Sequence, residues 1–107
     1  MRNQTMMSTA ERLKKHLQFL RDDLTAAFEA LDKGEGYEDY AHADDYLWEL
    51  PLELRPGTVV FTVGGPYIAI ETGPEGPAIH GYWGSDHEVL EATEVCQRVF
   101  EFFPTEE

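Results

Sequence analysis

Imidazole, phenol and carboxylate groups converge in one short stretch of the chain, where His80, Tyr82, Asp86 and His87 fall within eight residues. Groups of these types can hold a divalent metal or pass a proton. Metal ligands on regular elements recur at i and i+4 on a helix or at i and i+2 on a strand. Here one imidazole falls in mid-strand and the other at the expected start of a helix, so the spacing fits neither pattern. No metal and no other cofactor is expected. Cys96 is the single cysteine, which excludes an internal disulfide framework. A reactive thiolate needs a positive neighbourhood, and Arg98 is the only cation in the last fifty residues, so Cys96 is expected in a core. Carboxylate pairs can perform acid–base catalysis, but among 21 acids some pair always lies at a workable distance, and the abundance removes the specificity. Gly64-Gly65 and Gly73 with Gly76 have proline neighbours and no nearby cation, which points to turns between strands rather than a phosphate cradle. The chain therefore reads as a non-enzyme, with His80, Tyr82 and Asp86 the least implausible catalytic set.

Charge is the stronger signal. The formal net charge is −13 over 107 residues, and it is unevenly spread. Between Asp22 and Glu53 stand eleven carboxylates (Asp22, Asp23, Glu29, Asp32, Glu35, Glu38, Asp39, Asp44, Asp45, Glu49 and Glu53) against one cation, Lys33. The summed field of such a run attracts cationic surfaces and repels polyanions. Direct binding to nucleic acid, which needs a basic footprint, is excluded on that ground. The expected partner is a basic nucleic-acid-binding protein or a nuclease. Within the run, Tyr37, Tyr40, Tyr46 and Trp48 alternate with acids. One reading has these rings pack the segment down while the acids stay wet. The other makes an interface of Glu35, Tyr37, Glu38, Asp39, Tyr40, Asp44, Asp45, Trp48 and Glu49, because Tyr and Trp are enriched at binding hot spots and the acids would meet Arg and Lys across it. The two are compatible, and both stand.

The elements that must position these residues follow from periodicity. Apolar content of 42% supports one folded domain spanning residues 1–107, with 1–7 and 104–107 frayed. From Ser8 to Lys33, Leu13, Leu17, Leu20, Leu24, Ala27, Phe28 and Leu31 form a single helical stripe, with Ser8 or Thr9 as cap and Gly34 as terminator, while Phe19 points away from it. Asp44 and Asp45 begin a short helix through Trp48, ending before Pro51. Alternating apolar residues over Thr58–Val63, Tyr67–Thr72 and Ala78–Trp83 predict three strands separated by Gly-Pro turns. Ser85 and Glu88 have the spacing of a capping box, so a second helix is expected from there to Phe103. The fold class is α+β: an N-terminal helix, a three-stranded antiparallel meander and a C-terminal helix, with the helices on one sheet face. The other face, carrying Val60, Thr62, Tyr67, Ala69, His80 and Tyr82, is either a partner site or the seat of the 37–54 segment. No stretch approaches membrane-spanning length, no secretion signal is visible at the N-terminus, and a reducing cytoplasm suits one unpaired cysteine.

In size, charge and helix–meander–helix layout the chain resembles the small phage-borne inhibitors of bacterial defence, especially the DNA-mimicking anti-CRISPR proteins. Gly34-Glu35-Gly36-Tyr37, with Tyr40 following an alanine-rich helix, is similar to a segment of that group. The resemblance implies that the target is the basic DNA- or RNA-binding surface of a Cas effector in a bacterial host cell. It also implies contacts through the acids of 35–53 and through a secondary acidic face of Glu91, Glu94 and Glu101. A carboxylate row can stand in for phosphates, since helix residues one turn apart lie about 5–6 Å from each other and phosphates of one strand about 7 Å. The basic start, with Arg12, Lys14, Lys15 and Arg21, departs from a uniformly acidic mimic and confines mimicry to the middle segment. An immunity protein or antitoxin plugging a cationic nuclease toxin is the alternative, and a domain whose acidity serves only solubility or a salty cytoplasm is the third reading.

Overall fold

A computed structural model describes residues 8–105. The expected fraying of residues 1–7 lies outside the described residues, as do Glu106 and Glu107. Helix α1 (Thr9–Lys33) starts at Ser8, whose Oγ accepts from the Glu11 N–H at 3.1 Å while the Glu11 carboxylate accepts from the Ser8 N–H at 2.9 Å. Each side chain thus satisfies a backbone donor that the helix start leaves unpaired. The helix stops at Gly34, which turns left-handed at φ 71° and donates back to the carbonyls of Ala30 and Leu31. Leu13, Leu17, Leu24, Ala27 and Phe28 are buried along one stripe, and Phe19, off the stripe, is 74% exposed. Helix α2 (Ala43–Glu49) packs beside α1 with Ala43 and Leu47 buried.

The sheet departs from the expected three-stranded meander. Five antiparallel strands lie side by side in chain order: β1 (Glu53–Arg55), β2 (Thr58–Thr62), β3 (Tyr67–Glu71), β4 (Ala78–Trp83) and β5 (Asp86–Leu90). The three middle strands are the expected ones, and β1 and β5 flank them. β5 overturns the helix expected from Ser85. It pairs with β4 without interruption from Trp83↔Asp86 to Ile79↔Leu90, and Gly84-Ser85 forms the two-residue turn, with Gly84 at φ 63°. A capping box at Ser85–Glu88 would satisfy two backbone donors, whereas the hairpin supplies a ladder along five residues and a shared apolar face. Cross-strand pairing prevails over the capping box, and the last helix, α3 (Thr93–Phe102), begins eight residues later than Ser85.

Register sorts the side chains between the two faces. Leu54, Val59, Ile70, Ile79 and Leu90 form one row across all five strands. Gly81 shares this face, and α1 lies so close that a Cβ there would come within 2.7 Å of Leu13 Cδ1 and 2.9 Å of Leu17 Cδ2. α3 adds Val95, Cys96, Val99 and Phe103 to the same core. The reverse face carries Val60, Ala69, His80 and Val89 in one row and Tyr67, Tyr82 and His87 in the next. No helix covers that face among the described residues. Residues 37–49 pack against α1 and the end of α3 instead, and Glu53 and Leu54 join the sheet edge as part of β1.

Candidate functional site

Asp23, half-buried at the border of the apolar stripe of α1, organises the acidic segment. Its carboxylate accepts hydrogen bonds from the Tyr37 hydroxyl at 2.7 Å and from the Tyr46 hydroxyl. Burial, followed by this bond and the Asp23 charge, pushes the Tyr37 phenol up to about 12, and the same causes raise Tyr46. The rings of Tyr37 and Tyr46 meet edge-on at 4.8 Å, and Tyr40 meets Tyr46 at 5.5 Å. Tyr37 and Tyr40 also exchange both backbone hydrogen bonds, at 3.0 and 2.9 Å, which places Glu38 and Asp39 at the tip of a tight loop. Glu38 sits at φ 54°, a left-handed conformation uncommon outside glycine. Gly36 is required beneath this loop, because a Cβ there would lie 2.4 Å from the Tyr40 carbonyl oxygen. Tyr37, Tyr40 and Tyr46 therefore hold the segment to α1 and to one another. Trp48 is the exception: its ring rests on Phe102 and Phe103 at 5.3 and 5.0 Å, yet 49% of the residue faces solvent.

The carboxylates of the segment behave differently from its tyrosines. Glu35, Glu38, Asp39, Asp44, Asp45 and Glu49 are all exposed, and none forms an ion pair among the described residues. Other acids of the run are engaged internally. Asp22 pairs with Arg21 at 2.9 Å, Glu53 with Arg55 at 3.1 Å, and Asp32 takes both Arg98 guanidinium nitrogens at 3.0 Å. Those bonds hold the Asp32 carboxyl below its usual range and fasten α3 to α1, with Arg98 also 4.6 Å above the Phe28 ring. Of the secondary acidic set, Glu94 and Glu101 lie two turns apart on α3, about 10 Å along its axis. Glu91 precedes that helix, and all three are exposed.

The histidine cluster is assembled differently from the sequence expectation. Asp86 pairs with Trp83, in the row that faces the helices, and leaves the cluster. His87 takes its place on the helix-free face, stacked on Tyr82 at 4.3 Å with the rings 5° apart, and its Nε2 lies 3.1 Å from His80 Nδ1. Glu71 Oε1 is 3.9 Å from the same His80 nitrogen. The Tyr82 phenol is raised, by burial first and then by the Glu71 charge. Reading β5 as a helix start is what hid the His80–His87 contact; the Gly-Ser dipeptide between two alternating segments was the signal for it. The two imidazoles can share a proton, but no group of three or more metal-ligating side chains clusters among the described residues. Cys96 is fully buried, and burial pushes its thiol up to about 12, against a smaller opposing effect of its hydrogen bond with the Ala92 backbone. It is no nucleophile in the folded chain.

No family model, curated protein or solved structure matches the chain. The surface must therefore be read from its own chemistry. Among the described residues no helix is long and apolar enough to cross a membrane.

Proposed function

We propose that this protein is a non-enzymatic inhibitor that occupies the nucleic-acid-binding surface of a basic protein with the acids of residues 35–49. One observation carries the reading. Six carboxylates stand exposed without an internal counter-ion among the described residues, on a segment that Asp23, two phenols and a close-packed glycine clasp to α1. Charges left unpaired at the surface are available to cations on a partner, and their field steers the encounter. A clasped segment loses less conformational freedom on docking than a free loop. Asp45 and Glu49 are one helical turn apart, a spacing of about 5–6 Å that approaches the separation of phosphates on one strand. Trp48, half exposed beside them, is the apolar anchor that such a contact needs. Tyr37 and Tyr40, part of the contact set expected from sequence, act here as supports.

The resemblance to DNA-mimicking anti-CRISPR proteins makes a Cas effector the first target to examine. In a DNA-binding assay with such an effector, added protein should displace DNA, and the competition should weaken as salt is raised. Replacing Asp39, Asp44 and Asp45 together by lysine should abolish competition while the melting temperature holds. If the reversed variant competes as well as the parent, or if reversing Glu91, Glu94 and Glu101 abolishes competition instead, the chosen face is wrong. Recovery of a nuclease toxin as the salt-sensitive partner would assign the same acids to an immunity role.

A further inference from the structure

Arg12, Lys15, His16, Phe19 and Asp23 stand at i, i+3, i+4, i+7 and i+11 on α1, so they share one side of the helix, next to its buried stripe. Beyond Asp23 this side is occupied, since α2 packs beside α1 and the Tyr37 and Tyr46 hydroxyls reach the Asp23 carboxylate. Before Asp23 it is bare. His16, Phe19 and Leu20 border a cleft of about 310 Å³ together with Leu50, at the end of α2, and with Phe61 and Ile68 of the sheet. The cleft continues along His16 and Phe19 to Arg12 and Lys15, and Phe19 is 74% exposed in it. Arg12 rests 5.3 Å above the Trp83 ring, which keeps its guanidinium at the rim. The acids nearby on α1 are engaged: Glu11 caps the helix start, Asp22 pairs with Arg21, and Asp23 serves two phenols. Arg12 and Lys15 have no carboxylate partner among the described residues, although the chain holds 21 acids.

We propose that this groove takes an amphipathic helix of a partner protein, with its apolar side chains on Phe19 and the cleft and with carboxylates at one end against Arg12 and Lys15. The length suits a helix. From Arg12 to Asp23 the groove follows α1 for about 16 Å at 1.5 Å per residue, room for three turns with anchors at i, i+3 or i+4 and i+7. A helix docked there prolongs the layer that α2 begins on this side of α1. The shape disfavours a small apolar ligand, because such sites enclose most of their occupant and this groove leaves Phe19 largely in water. A helix needs only one face covered. Charge sets the direction. Asp45 and Glu49, both free, neighbour Tyr46 and Leu50 at the end of the groove away from Arg12 and Lys15. Screening over about 8–10 Å separates the two ends, so the ligand's carboxylates belong at the Arg12 end alone. The net charge of −13 slows the approach of an acidic segment without changing which sign fits that end. None of the acids of 35–49 lines the groove, and the inference stands independently of the function proposed above.

A fluorescein-labelled peptide of about twelve residues probes the full chain, with leucines at i, i+3, i+4 and i+7, uncharged polar residues elsewhere, and glutamates in the first turn, where they also favour the helix. Fluorescence polarisation should show saturable binding that weakens as salt is raised. Lysine in place of the glutamates should weaken it at least about tenfold, and Phe19→Ala should do the same to the glutamate peptide. Phe19 is exposed, so Phe19→Ala should keep the wild-type melting temperature. Arg12→Glu combined with Lys15→Glu should exchange the preference and favour the lysine peptide. Equal binding of the two peptides, full affinity in Phe19→Ala, a double reversal that leaves the preference as it was, or no saturable binding up to about 1 mM would overturn the proposal. Laurate binding more tightly than the glutamate peptide would overturn it too, by giving the groove to a lipid carboxylate.

Discussion

Replacing Asp23 by alanine removes the acceptor shared by Tyr37 and Tyr46 without touching any exposed acid. A hydrogen bond to a charged group contributes about 1.5–3 kcal/mol, and water replaces part of each bond at these half-buried phenols, so a net loss of about 2–3 kcal/mol is expected. For a domain of this size that corresponds to a fall of about 10–20 °C in Tm. The substitution also has a signature at alkaline pH. The folded Tyr37 holds its proton up to about 12 against an ordinary value of 10.0, so its contribution is complete below pH 10 and is lost as pH rises from there to about 12. Tyr46 contributes with the same sign. The limiting slope is about 1.4 kcal/mol per pH unit for each tyrosine, and solvent screening reduces it. In Asp23→Ala both phenols should titrate earlier, keeping only the part of the shift that burial causes. Near-ultraviolet titration of tyrosinate, with thermal melts across the same pH range, measures both effects. A tyrosinate titration that overlays the wild type, together with a stability loss under about 1 kcal/mol, would refute the clasp. If the clasp holds, Asp23→Ala should also weaken partner binding although it removes no contact residue.

Gly36→Ala should disturb the same loop from the other side, because its Cβ would sit 2.4 Å from the rigid Tyr40 carbonyl oxygen. A loss of about 1–3 kcal/mol in chemical denaturation is expected, with amide resonance changes concentrated at residues 35–41. The Cys96 thiol should resist alkylation in the native state and react only as fast as the chain unfolds, which thiol-labelling rates across a denaturant series would show. Asp32→Asn should lower stability at neutral pH and flatten the acid limb of a pH–stability curve. The depressed Asp32 carboxyl contributes above its unfolded pKa and loses that contribution as pH falls through the folded value.

Features with short-range causes were legible in the chain. Ser8 and Glu11 cap α1, Gly34 ends it, and the 3.6-residue stripe lies buried as the leucine spacing requires. The alternation in Thr58–Thr62, Tyr67–Glu71 and Ala78–Trp83 gave three strands in place, and Cys96, expected in a core for want of a positive neighbourhood, lies there. Each of these depends on groups within a few residues of one another, where steric fit and hydrogen bonding leave few options. Tertiary structure decided the rest. Ser85-Asp86-His87-Glu88 satisfies a capping box and a hairpin equally well on paper, and only the presence of β4 alongside makes the ladder the better outcome. That choice moved Asp86 to the helix side and brought His87 against His80. Likewise, helical periodicity puts Asp22 opposite the apolar stripe and Asp23 at its border, but nothing local marks Asp23 as an anchor. Asp23 becomes the anchor for phenols 14 and 23 residues away because α2 folds back along α1, whereas Asp22 turns outward to Arg21. Charge density is a property of composition and could be counted from the chain. Which carboxylates remain free for a partner is a property of the distances between them, and those exist only once the helices and the sheet have met.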